Sequence, residues 1–398
     1  MLESPNRGAK ELAVPALHVL TLTPFYPSDR DEANGCFVAE PLDWLARRGV
    51  QNTVFAIQPF YRGSFRNGDA AMPAKWVRYF SLPGGLGLPT AGAFLFGRIV
   101  SAVRDLQKRN PINLIHAHGP LPCGHAALLL NRELGIPYVV SVHGLDAFST
   151  EQVKGRAGMW CRRISQRLYS QSKRVICVSE HVREQVLEGV AGKARTSVVY
   201  NGVDPELFAP GKDESATDEL SVLTVGNLIP SKGHEVLIRS VAAVIGDYPG
   251  VKLKIIGNGQ QRQHLESISR QMNMADRVSF LGRQSRMQVA EEMRRCTVFA
   301  LPSRYEGLGC VYLEAMCAGK PVVGCRGQGI AEVIRQGSNG FLVGPENEKE
   351  LALVLDMLLR DRQKRENLGR AAHDTILDGF TLELQAERLA RIYRESVA

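Results

Sequence analysis

Short β-branched runs alternate with longer helical patterns along almost the whole chain, and this rhythm limits the fold more than any other feature. Runs of that kind are buried on both faces only in a parallel sheet covered by helices. In the first half, strands are expected near residues 18–23, 53–57, 114–117, 138–142, 175–178 and 196–199, with helices such as 124–134 and 158–169 between them. The polar stretch 210–219 has no strand signal, and alternation restarts at 223–225, 254–256, 278–280, 298–301, 322–324 and 341–343. The expected class is therefore α/β, with two doubly wound units. A length of 398 residues agrees, because it exceeds what a single hydrophobic core usually serves. We place the first domain over residues 1–202 and the second over 203–379. The closing helical sequence is longer than the second sheet needs, so the helix over 380–398 is expected to pack back on the first domain. Ligands of open α/β sheets bind beyond the carboxyl ends of the strands, so two facing domains would enclose a cleft.

Charge and cysteine usage narrow the class of ligand. The formal charge of +8 favours an anionic partner. Nucleic acid is set aside, because no recognition motif or interleaved aromatics accompany the charge. None of the eight cysteines forms a C-x-x-C pair, so buried free thiols are expected rather than a zinc or redox centre. The first 20 residues lack the layout of an export signal, which leads us to expect a cytoplasmic protein. The longest apolar stretch, 86–103, is broken by Gly87, Pro89 and Arg98, so any membrane contact would be peripheral, at the inner face. From Gln152 to Ser179 there is no acidic residue, while Lys154, Arg156, Arg162, Arg163, Arg167, Lys173 and Arg174 stand beside Trp160, Ile164 and Leu168. Such a face suits anionic lipid, and equally an ordinary solvated helix packed on its own sheet.

The densest signal lies in residues 303–323, which read as strand end, glycine loop, helix and next strand. Glu306 and Glu314 are eight residues apart, about 12 Å if helical throughout. That is too far for a glycosidase pair, whose carboxyls stand about 5 to 9.5 Å apart. The spacing suits two carboxylates holding hydroxyl groups at opposite ends of an elongated ligand. Gly307 and Gly309 would let backbone N–H groups approach an anion between them. A sugar, a diphosphate and a nucleoside in series have that layout.

Glu306-x7-Glu314, followed by Ala-Met-x-Ala-Gly-x-Pro-Val-Val, resembles the donor-site motif of the family 4 retaining glycosyltransferases, which have the two-Rossmann GT-B fold. The resemblance extends through Val225-Gly-Asn-Leu-Ile-Pro-Ser-Lys-Gly233, Ile256-Gly-Asn-Gly259, Phe280-Leu-Gly282, Val199-Tyr-Asn-Gly-Val-Asp204, Leu114-Ile-His-Ala-His-Gly119 and Val142-His-Gly-Leu-Asp146. Phe25-Tyr-Pro27, Gly35-Cys-Phe-Val38 and Gly324-Cys-Arg-Gly-Gln-Gly-Ile330 look most like enzymes of bacterial exopolysaccharide and teichuronic acid assembly.

The resemblance implies roles residue by residue. Glu306 would hold hydroxyls of the donor sugar, Glu314 the ribose hydroxyls, and Lys232 the diphosphate of a nucleotide sugar, a UDP-sugar by preference. Gly307, Leu308 and Gly309 would present backbone to the donor, and Gly282 and Arg283 would run past the base. Asn227 stands where the family commonly has a phosphate-binding arginine, so Arg283 or Arg326 is a candidate for the missing charge. Gln328 replaces the first glycine of a common pair. Gly35 would meet the distal phosphate, or serve as a plain turn glycine. His143 matches the active-site histidine that contacts the transferred sugar. His118 is placed on the acceptor side and His116 is read as structural, with one assigned to each side of the sheet. Asn201 and Asp204 read as interdomain loop residues. The implied reaction uses no metal or cofactor, retains anomeric configuration, and has a saccharide acceptor, free or lipid-linked. Two alternatives stay open: an epimerase or phosphorylase of the same architecture, and a non-catalytic nucleotide-sugar-binding partner with a relic site.

Overall fold

The computed structural model describes residues 17–398 apart from 30, 64–72, 84, 145–152, 154, 190–191 and 212–219. Asp146, Lys154 and most of the polar stretch 210–219 therefore lie outside the described residues.

The first sheet has β1 (Leu17–Thr23), β2 (Val50–Pro59), β3 (Ala74–Tyr79), β4 (Leu114–His118), β5 (Tyr138–Val142), β6 (Arg174–Cys177) and β7 (Thr196–Val198). Its spatial order is β3-β2-β1-β4-β5-β6-β7, and every pairing is parallel. All seven residues of β1 are buried, which explains why a central strand reads as a continuous apolar and threonine run. Around this sheet lie α1 (Cys36–Arg47), α2 (Leu88–Arg109), α3 (His125–Leu134), α4 (Gly155–Gln171) and α5 (Glu180–Gly189).

The second sheet has β8 (Ser221–Val225), β9 (Lys252–Ile256), β10 (Val278–Gly282), β11 (Val298–Ala300), β12 (Val322–Cys325) and β13 (Phe341–Val343). Its order is β10-β9-β8-β11-β12-β13. Its helices are α6 (His234–Val244), α7 (Arg262–Gln271), α8 (Arg286–Arg295), α9 (Cys310–Cys317) and α10 (Glu348–Arg360), followed by α11 (Arg362–Gly379) and α12 (Leu382–Val397). Both sheets reverse direction beside their first strand, between β1 and β4 and between β8 and β11. Those are the switch points where doubly wound sheets open a crevice.

Two elements depart from the sequence expectation. The Gly- and Pro-rich region 59–89 contains β3, an edge strand registered on β2 from Ala74 against Val54 to Tyr79 against Pro59. Its exposed Lys75 and Arg78 between buried Ala74, Val77 and Tyr79 hide the strand in a polar-looking segment. α11 is the other, with only Leu368, Gly369, Ala372 and Ile376 buried along 18 residues.

α12 crosses to the first sheet. Val203 N–H donates to Phe380 O and Leu382 N–H donates to Val203 O, which tie the two crossing segments together at 2.9 and 3.0 Å. A Cβ on Gly202 would stand 2.4 Å from Thr381 O, so the crossing needs glycine there. From this crossing α12 packs on α1, burying Leu389, Ala390 and Tyr393 against Val38, Leu42 and Leu45. All eight cysteines are free thiols. Among the described residues no helix is long and apolar enough to cross a membrane.

Candidate active site

Gly35, His118, Lys232 and Glu306 lie at the two switch points, whereas Gly282 and Arg283 lie at the end of edge strand β10. Gly35 follows β1 and His118 ends β4; Lys232 follows β8 and Glu306 follows β11. Gly35 is the N-cap of α1 at φ 78, and a Cβ there would lie 2.3 Å from the Phe25 carbonyl carbon, so no side chain fits. Gly309 caps α9 at φ 83. α9 begins only at Cys310, so Glu306 lies in the preceding loop and the helical rise expected between the two glutamates does not apply.

Across the cleft the domains touch through backbone. A Cβ on Gly307 would stand 2.2 Å from His143 O, and within the second domain one on Gly329 would stand 1.8 Å from Gly307 O. Ser179 Oγ donates to Gly307 O at 2.6 Å. Leu308, next in the loop, is buried. These glycines bring the loop of the second domain against the histidine of the first.

Lys232 Nζ and Glu306 Oε1 pair at 2.5 Å, and Ser303 Oγ donates to the same oxygen at 3.1 Å. Lys232 closes a short 3-10 turn over Pro230–Lys232, one residue before the N-cap-bound start of α6. The Glu306 backbone is fixed too: its N–H donates to Gln328 Oε1 at 2.9 Å and its carbonyl accepts from Gly329 N–H at 3.1 Å. Gln328, a departure from the family pattern, thus has a positioning contact that the sequence did not reveal.

Glu314 is 3 % exposed. Its Oε1 accepts from Arg286, whose Nε also reaches Glu40 Oε1 of α1 at 3.0 Å. Its Oε2 is buried with no partner among the described residues. Burial works to lower the Arg286 pKa, but the Glu314 and Glu40 carboxylates outweigh it and hold the guanidinium charged. Burial pushes Glu40 up to about 7 against the pull of Arg286. Ser285 and Gln288 form a capping box that fixes the start of α8 and so aims Arg286. The cap was the only sequence signal for this residue, and it says nothing of Glu40.

The two arginines considered for the missing phosphate charge have other partners. Arg283 pairs with Asp31 across the cleft at 2.7 Å, and Arg326 is held by both oxygens of Glu350 at 2.7 Å. Asn227 is exposed at the end of β8, where its carbonyl meets His234 Nε2 at 3.3 Å. Gly282, at φ 70, accepts from Gly257 N–H through its carbonyl at 2.8 Å. Asn201 Nδ2 donates to Cys310 Sγ at 3.2 Å, linking the interdomain loop to α9.

His116 and His118 face the same side of the sheet, contrary to our assignment. Residues two apart on a strand share a face, and their ring centroids are 4.1 Å apart. His118 Nδ1 lies 3.0 Å from His143 Nε2, so one of the two carries the shared proton. His116 is held by Tyr393 OH of α12 and by Ser141 Oγ, each at 2.7 Å. The His143 ring packs on Phe37 with centroids 4.7 Å apart. Burial lowers His143 and His116 to about 3, and burial with the neighbouring rings takes His118 well below its ordinary value. Near neutral pH the three are uncharged hydrogen-bonding groups. They border a small cavity between β4, β5 and α12 that Asn201 and Gln385 also line.

Two doubly wound sheets with their switch points facing define a GT-B architecture. A solved structure of Anabaena HepE in complex with UDP-glucose has this fold, with a TM-score of 0.75 over 95 % of this chain and 100 % of that one at 21 % identity. The family model for Glycosyltransferase Family 4 matches residues 37–207, and that for Glycosyl transferases group 1 matches residues 208–375. An uncharacterized glycosyltransferase of Methanocaldococcus jannaschii is 32 % identical over 73 % of this chain and 78 % of its own length. The D-inositol 3-phosphate glycosyltransferase of Stackebrandtia nassauensis is 26 % identical over 98 % of this chain and 93 % of its own. The chain belongs to the glycosyltransferases, with a family 4 domain followed by a group 1 domain.

Proposed function

We propose that the protein moves a sugar from a nucleoside-diphosphate sugar, a UDP-sugar, to a saccharide hydroxyl, with retention at the anomeric carbon and without a metal or cofactor. The acceptor is a saccharide, free or lipid-linked, the product is a cell-surface polysaccharide or glycoconjugate, and the enzyme works in the cytoplasm, peripherally at the inner face of the membrane. The observation that carries this reading is the Lys232–Glu306 pair at the β8/β11 switch point, one residue from the backbone contact with His143.

The division of labour follows from the atoms. Lys232 offers an ammonium to the diphosphate, where it stabilises charge growing on the leaving phosphate. Glu306 then turns its carboxylate to the sugar hydroxyls while Gln328 and Gly329 hold its backbone still. Buried, unpartnered Glu314 Oε2 is an acceptor for a ribose hydroxyl. Neutral His143 meets the sugar from the other domain. The acceptor oxygen bonds to the anomeric carbon as the bond to phosphate breaks, and the acceptor's proton passes to the leaving phosphate, so no protein base is assigned. HepE, with the same fold, holds UDP-glucose in its solved complex, which favours UDP as the carrier.

The test is to incubate the protein with UDP-, GDP-, ADP- and dTDP-sugars and saccharide acceptors in chelator. Nucleoside diphosphate release is followed, and the anomeric coupling of the product is read by NMR. One donor giving product with the donor's configuration supports the reading. An inverted product overturns retention, loss of transfer in chelator overturns metal independence, and release from no donor overturns the transferase reading.

A further inference from the structure

Among the described residues, eight of the twelve large hydrophobic side chains left exposed fall in two stretches of the first domain. One stretch is an aromatic cluster. Phe60 and Phe80 stack with centroids 5.4 Å apart and planes 8° apart, and Phe80 meets Phe94 edge-on at 5.0 Å. Leu82 and Leu86 continue it, Leu86 being 72 % exposed. The other stretch is Met159 and Trp160 in the second turn of α4, Trp160 being 53 % exposed.

Topology puts the two stretches on one rim. β2 ends at Pro59, β3 ends at Tyr79, α2 begins at Leu88 and α4 begins at Gly155. All four of these ends lie at the carboxyl edge of the first sheet, the edge that also carries Gly35 and His143. α2 and α4 pack on each other, so both helix starts lie on the same side of that edge.

The described charges beside the aromatic cluster are basic. Exposed Arg62 and Arg78 stand beside Phe60, Arg78 donating to the Phe60 and Arg62 carbonyls. α4 adds four exposed arginines and no acid. Contiguous exposed apolar surface of this kind marks an interaction site. Half-exposed aromatics with exposed arginines beside them match the headgroup layer of an anionic bilayer, which takes rings at the interface and cations at the phosphates. A second copy of this chain fits poorly, because a two-fold contact would set arginine against arginine.

We propose that this rim is the docking surface for an anionic lipid bilayer, with the Phe60–Phe80–Phe94 cluster and Trp160 entering the headgroup layer. The proposal deepens the transferase reading and rests on it for its purpose, since docking there holds the mouth of the cleft at the membrane where a lipid-carried acceptor would enter.

The test uses the full chain without donor or acceptor. Vesicles of phosphatidylcholine with about 30 mol% phosphatidylglycerol are compared with pure phosphatidylcholine. Expected results are co-sedimentation with the anionic vesicles, at least about tenfold less with neutral ones, and a blue shift of tryptophan emission that Trp160→Phe removes. Leu86→Ser with Phe94→Ser should cut partitioning at least about tenfold with unchanged circular dichroism, because both side chains are exposed. Absence of binding to either vesicle, or equal binding by the double variant, overturns the proposal. So does a dimer in sedimentation velocity that the double variant dissociates. Thermal shift by nucleotide sugar, run on the same samples without vesicles, separates the two readings. A shift without vesicle binding overturns docking alone, and vesicle binding without a shift supports docking while removing the transferase reading.

Discussion

The Lys232 ammonium rests against a carboxylate that is itself held by Ser303, and meeting the donor diphosphate is its proposed role. Lys232→Ala and Glu306→Gln should each lower kcat by about 10²- to 10³-fold while circular dichroism stays that of the parent. Full turnover in either variant would remove the assigned roles. The three histidines give a second prediction. Burial depresses their folded pKa values below the ordinary 6.5, to about 3 for His116 and His143. Their contribution to stability is therefore complete above pH 6.5 and is lost as pH falls toward 3. The loss approaches about 1.4 kcal/mol per pH unit for each histidine. Urea unfolding between pH 6.5 and 4.5 should show that slope, shallower in His116→Gln; a flat profile would contradict the buried neutral assignment. The places of Glu306, Lys232 and His143 beside strand ends were legible because each stands in a recognisable motif. Gln328, Arg286 and Glu40 were not, because their partners lie 22, 28 and 246 positions away and no local pattern announces such contacts.

Among the elements, buried central strands such as β1 and β5 were readable as β-branched runs, but β3 was not, since an edge strand alternates polar and apolar residues among turn formers. The two-residue period was also misapplied to His116 and His118, and the contact of their rings on one face restores it. α12 joins the domains through its packing on α1 and through buried polar contacts, among them Gln385 Nε2 on Asn201 Oδ1 and Tyr393 OH on His116 Nδ1. Tyr393→Phe leaves that nitrogen facing an apolar edge and should cost about 1 to 3 kcal/mol, seen as a lower midpoint in calorimetry. An unchanged midpoint would mean that the Tyr393 hydrogen bond adds nothing to the hold on the helix.

Over the whole molecule, the two doubly wound sheets follow from the alternation of runs, whereas the closeness of the domains follows from contacts that no run encodes. Arg286 bridges Glu314 of one domain to Glu40 of the other, and Arg283 meets Asp31 beside it. Burial raises Glu40 from 4.5 to about 7. Its contribution to stability is thus complete below pH 4.5 and is lost as pH rises through about 7. Glu40→Gln should raise the melting temperature relative to the parent more at pH 8 than at pH 5; an equal effect at both would contradict the raised carboxyl. The central claim is that the β8/β11 crevice holds a nucleotide sugar through Lys232 and Glu314. Calorimetric titration of UDP-glucose into the parent, Lys232→Ala and Glu314→Gln measures this most directly. The account predicts saturable binding by the parent, weakened at least about tenfold in each variant. Equal binding by all three, or no binding by the parent to any nucleotide sugar of the panel, would contradict it.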